Sequence, residues 1–270
     1  MTDDSPKARK VSARKWAAVT MAGLAAVQPV ASISLMAGPA FASEAGEAGE
    51  AGEAGEAGVA RQDGPTELLT SLGYFEGTYR IAAALYLSGQ RDLAREHLEM
   101  SHHAFYDDIA PELAEYDAPG FEAQANALTD AIVADADDDT VRAAYDTVLG
   151  ALTTSAAAAG ASGSERLMSI KELIALAAAE YEGGVAADGT VEVPIEYRDS
   201  WGFAETARAR AEALAGSDQA ELAQAGRDVL AQLDGIAALY PALSADKGAA
   251  DAGQLNVAAG WSEIIALRLK

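Results

Sequence analysis

From Thr66 to the C-terminus, apolar residues recur at intervals of three and four, and this periodicity confines the chain to helices packed on helices. The first predicted helix, Thr66 to Leu87, sets Leu68, Leu72, Phe75, Tyr79, Ala83 and Tyr86 on one face and stops at Ser88-Gly89. A second is expected from Arg91 to Ala110, ending at Pro111, and a third from Phe121 to Val133, behind Pro119-Gly120. A fourth starts behind Thr140 as N-cap and carries Val141, Tyr145, Val148 and Leu152. After an Ala-Gly-Ser linker at 156–164, helices follow at Glu165 to Tyr181, Gly202 to Leu214, Asp218 to Leu239 and Gly253 to Leu269. Only Thr190 to Tyr197 has β-like composition, and Pro194 limits it to an edge or an extended insertion. The fold class is therefore all-α, an up-down helical bundle.

Two related halves are expected, 66–155 and 165–270. Glu115-Tyr116-Asp117 leads to Gly120-Phe121, and Glu196-Tyr197 with Asp199 leads to Gly202-Phe203. An Ala-rich helix ending in Tyr and Gly precedes each, around Tyr86 and Tyr181. Trp201, Trp261, Tyr86, Tyr181 and Tyr240 read as core aromatics.

The N-terminal residues read as processing and tether segments. Lys7, Arg9, Lys10, Arg14 and Lys15 form a basic head, Trp16 to Met36 an apolar middle, and Ala40-Phe41-Ala42 a small-x-small cleavage pattern. That order describes a signal peptide over 1–42 and predicts a mature protein that is periplasmic and soluble, not membrane-embedded. The rival reading keeps Trp16 to Met36 as an uncleaved anchor. Five Glu-Ala-Gly triplets from Glu44 to Gly58 form a low-complexity repeat too glycine-rich and too self-repelling for a helix, so 43–65 is read as a disordered acidic linker. The helical domain is then 66–270.

Charge excludes whole classes of partner. Against 19 Lys and Arg stand 42 Asp and Glu, a formal −23. Such a surface repels phosphate backbones, so no nucleic acid is expected, and it favours cations. The absence of cysteine removes thiolate ligands and nucleophiles. No nucleophile elbow, phosphate-cradling loop or HExxH motif is present, so catalysis is not expected. Asp135, Asp137, Asp139 and Asp146 match part of a calcium-loop count, but Thr140 stands where glycine is needed. An acidic turn before a helix explains them better.

The one chemical lead is that all three histidines fall within seven residues: His97, His102 and His103. On a continuous helix Leu93, His97, Met100 and Ala104 share the core-facing stripe, and His103 lies on a flank with Glu99 and Asp107, each four residues away. One helix therefore cannot gather all three at a single ion. Helical bundles complete such half-sites from a facing helix. The metal-ligand candidates are His97, His103, Glu76, Met100 and Asp107, with Tyr79, Glu115, Tyr116, Asp117, Glu196, Tyr197 and Asp199 as further donors. Imidazole with carboxylate oxygen suits iron, zinc or copper, and the thioether of Met100 leans toward copper. The bland alternative is a neutral core histidine and solvated salt bridges on the flank.

A Cys-free helical chain with an export signal, two halves and a histidine–acid cluster resembles the imelysin-like family of periplasmic helical bundles. That resemblance implies a role in iron or haem acquisition. The family pairs His with Glu three positions on; here His97 is followed by Met100 and His103 by Tyr106, so no family residue is carried over. The expectation is an exported protein that binds iron or copper and delivers it to a membrane metal permease. The alternative is a scaffold module that binds a peptide or partner protein.

Overall fold

The computed structural model describes residues 64–269 apart from His102 and Ala250; the segment read as a signal peptide over 1–42, the Glu-Ala-Gly triplets and His102 lie outside the described residues. Among them are nine α-helices and no strand. The fold is an all-α helical bundle, as the periodicity predicted.

Helix α1, Pro65–Leu87, begins with Pro65 in its first turn and ends where Gly89 turns left-handed at φ +83°. There the Gln90 N–H closes onto Leu85 O at 2.8 Å. Tyr86 is fully buried and donates its hydroxyl to Ala136 O at 2.5 Å, tying the end of α1 to the turn before α5.

The second predicted helix is in fact two. Helix α2 is Arg91–Met100 and α3 is Tyr106–Glu115, so Pro111 lies inside α3 and does not end α2. The break falls at Ser101, whose backbone is extended and whose buried hydroxyl lies 3.2 Å from Thr78 Oγ1. The break redirects the chain. On a continuous helix His97 and His103 would point about 120° apart, and the extended step turns both rings inward.

Helix α4 is Glu122–Val133 and α5 is Asp138–Ala158. The N-cap of α5 is Asp137, which accepts from the Thr140 N–H at 2.9 Å; Thr140 is inside the first turn and is not the cap. Helix α6, Gly163–Gly184, opens with a capping box between Ser162 and Glu165. Val193 and Pro194 begin α7, Pro194–Ala215, so the extended insertion is shorter and earlier than expected. It consists of isolated bridges pairing Val185 with Val191 and Thr190 with Lys247. Pro194 fits the helix start because an N1 residue needs no N–H partner. Helix α8, Ala220–Ile236, runs into a 3-10 turn, and α9 is Gly253–Arg268.

Two hydrophobic cores result, one among α1–α5 and one among α6–α9. Helix α1 joins them, packing on α2 and α5 on one side and on α6 and α7 on the other. The α1–α7 crossing is close because Gly202 faces Gly77: a Cβ at Gly202 would lie 2.5 Å from Ile81 Cδ1 and 2.9 Å from Gly77 O. On the opposite side of α7, Tyr197 donates to Ala242 O at 3.1 Å. Ser200 Oγ donates to Ala177 O at 2.6 Å and lies 2.6 Å from Tyr240 Oη. The start of α7 is thus fixed on both flanks.

Candidate metal centre

Four buried side chains converge where the two halves meet. His97 comes from α2, His103 from the α2–α3 connection, Glu180 from α6 and Asp199 from the fixed start of α7. None is more than 5% exposed. His97 Nε2 lies 3.6 Å from Asp199 Oδ1, His103 Nε2 lies 3.7 Å from Asp199 Oδ2, and His103 Nε2 lies 3.5 Å from Glu180 Oε1. One donor atom from each of His103, Glu180 and Asp199 falls within 4.8 Å of the others.

These spacings are too long for hydrogen bonds. For His103, Glu180 and Asp199 they are close to what a shared ion requires, since ligands about 2.1 Å from a metal stand roughly 3.0–3.4 Å from one another in octahedral or tetrahedral sites. His97 lies outside that trio and approaches Asp199 alone. Among the described residues, neither nitrogen of His97, neither oxygen of Asp199, nor Glu180 Oε1 has a hydrogen-bond partner. Buried polar atoms are almost always satisfied, so this concentration of unpartnered atoms makes the spot a candidate ligand site.

The electrostatics agree. Burial, with Arg198 and His103 adding to it, pulls His97 down to about 3, so its ring is neutral and offers a lone pair at neutral pH. Burial pushes Asp199 up to about 7; His103 opposes the shift, and Glu180 and Glu196 reinforce it. Glu196, one helical turn before Asp199, is likewise raised by burial and then by Glu180. Arg198 brings positive charge and reaches outward, 3.6 Å from Glu96 and 3.4 Å from Leu243 O. Phe203 stacks edge-on against His103 at 5.1 Å and closes one side.

The predicted residues divide sharply. His97 and His103 come together. Glu76 does not join them: it is held by Arg80 at 2.7 Å and Arg210 at 3.2 Å. Met100 is 55% exposed, because α2 ends there, and it brings no thioether to the cluster. Asp107 is exposed in the first turn of α3. Of the further donors, Asp199 is central and Glu196 adjacent, whereas Tyr79 packs on Phe75 in the first core and Glu115 is exposed. Asp135 of the calcium-like run pairs with Arg91 at 2.8 Å and Arg95 at 3.1 Å.

Sequence reasoning missed Glu180. It follows Leu173, Leu176 and Ala177 along the buried stripe of α6. A carboxylate on a core stripe is rare unless it is paired or bound to a metal, and that was the available signal.

Residues 157–264 match the family model of the iron permease-associated 4-helix bundle domain. The match spans α6 to α9 and contains Glu180, Glu196 and Asp199, but neither histidine. No curated protein and no solved structure matches the chain. The matched domain is not imelysin-like, so that resemblance is corrected. The expectation of a soluble periplasmic protein is corrected too, because a domain associated with iron permeases points to the membrane. No helix among the described residues is long and apolar enough to cross one.

Proposed function

We propose that this chain captures an iron ion at His97, His103, Glu180 and Asp199 and passes it to an iron permease. The observation that carries the proposal is the convergence of two buried imidazoles on two buried carboxylates at 3.5–3.7 Å, with the trio His103, Glu180 and Asp199 close enough to share one ion. Oxygen and imidazole donors suit iron in either oxidation state, whereas the exposed thioether of Met100 removes the lean toward copper. The iron link of the domain model over 157–264 supports the same cargo and the same class of partner. Iron here is substrate: the protein supplies ligands, excludes water and fixes the geometry. An iron dication or trication would offset the negative charge that Asp199 and Glu180 carry when ionised in a buried site.

The test is titration of the purified chain with anaerobic ferrous sulfate and, separately, ferric nitrilotriacetate, followed by calorimetry and metal analysis. The wild type is expected to take up about one equivalent. Asp199→Asn with Glu180→Gln is expected to lower affinity at least tenfold, while Met100→Ala and Asp107→Asn leave it unchanged. No uptake by the wild type, or equal uptake by the double variant, contradicts the proposal.

A second reading treats the chain as a partner-binding module without metal, and α9 favours it. Val257, Trp261, Ile264 and Leu267 are each at least 42% exposed, although Trp261 was expected in the core. The opposite face of α9 buries Leu255, Ala258, Ile265 and Ala266. Apolar residues thus lie on both faces of α9, with Asn256 and Glu263 between them, and an exposed apolar patch marks an interaction surface. On this reading Trp261→Asp abolishes partner capture and the histidine variants do not.

A further inference from the structure

The most distinctive unassigned feature is a cleft of about 360 Å3 between α1, α5, α6 and α7, lined by neither His97 nor His103. Three of the chain's 19 basic residues, Arg80, Arg166 and Arg210, line it, and Glu76 is its one acidic lining residue. A protein with 42 acids has concentrated guanidinium groups at one spot. Glu76 is spread between two of them: Arg80 donates to Oε1 at 2.7 Å and Arg210 Nε to Oε2 at 3.2 Å. Arg210 also donates to Leu69 O, fixing its fork across the α1–α7 seam. Arg166 has no ion-pair or side-chain hydrogen-bond partner among the described residues. Glu205 also acts on Arg80 from α7, and it lies 3.9 Å from Arg208, whose nearer partner is Asp234 at 2.7 Å. Even with Glu205 nearby, three guanidiniums against Glu76 leave the lining net positive.

The remaining wall is aliphatic, including Leu152, Ile170 and Leu214, with alanines and no aromatic ring. That composition offers no stacking platform for a nucleotide or aromatic acid. It offers an apolar bed with a charged rim, at a size within the usual range for small-molecule sites. Guanidinium forks match carboxylate oxygens two at a time.

We propose that this cleft binds a small aliphatic dicarboxylate, with Arg166 as its free guanidinium and the Glu76-braced pair as its fixed positive edge. This site stands independently of the iron reading, since neither histidine lines it.

Calorimetric titration of the full chain with succinate, its neutral analogue succinamide, and inorganic phosphate tests the proposal. Saturable binding of succinate, none of succinamide, and much weaker binding of phosphate are expected. Arg166→Gln should weaken succinate at least tenfold. Ala213→Leu, at an exposed lining position, should fill the cleft and abolish binding, with helical content unchanged in both variants. Succinate binding should persist in His97→Ala/His103→Ala. Failure of succinate to bind, equal binding by Arg166→Gln, or phosphate binding as tight as succinate would each overturn it.

Discussion

Asp199 and His97 face each other 3.6 Å apart with opposite pH behaviour. The Asp199 carboxyl is raised to about 7, so its protonated form favours the fold at low pH and that contribution is lost as pH rises through 7. His97 is lowered to about 3, so its contribution is complete above its ordinary range and lost as pH falls toward 3. Without metal, Asp199→Asn should therefore be more stable than wild type at pH 8, by on the order of 2–4 kcal/mol, and the gain should shrink toward pH 4. Urea melts at the two pH values check this; an unchanged or lowered midpoint at pH 8 contradicts the buried-charge account. At this scale the two histidines were legible, because only three exist and they sit together. Asp199 was reached through the Glu-Tyr likeness between halves. Glu180 was not reached, because an acid among alanines looks solvated until its stripe is found buried.

The helices themselves were legible because their stripes are long and apolar, but the ends were not. The α2–α3 break carries no proline or glycine; it depends on a buried contact between Ser101 and Thr78, which lies 23 residues earlier and leaves no local signal. Thr140 looked like a cap, yet Asp137 holds that position because its carboxylate meets two donors of Thr140. The site also depends on how closely α1 and α7 approach. A methyl group at Gly202 would meet Ile81 and the Gly77 carbonyl, so Gly202→Ala should destabilise by about 1–3 kcal/mol and weaken iron uptake by displacing Asp199. Gly150 on α5 faces open space, and Gly150→Ala should gain up to about 1 kcal/mol with uptake unchanged. Thermal melts paired with metal analysis separate the two; equal behaviour contradicts the close-packing account.

At the scale of the molecule, two cores share one helix, and the candidate centre lies on their boundary. The α6–α9 bundle, which carries the likeness to the iron permease-associated domain, provides carboxylates alone. The α1–α5 half provides the imidazoles by turning a broken helix toward α7. The all-α class was legible from periodicity. The meeting of the halves was not, because it is set by glycine contacts and paired polar groups far apart in sequence. The most direct test is X-ray absorption at the iron edge of the loaded chain, wild type against His97→Ala/His103→Ala. The account predicts nitrogen and oxygen ligands at about 2.0–2.2 Å with imidazole outer-shell scattering in the wild type, and loss of that scattering with oxygen ligands retained in the variant. A wild-type spectrum without imidazole, or one unchanged by removing both rings, would contradict it.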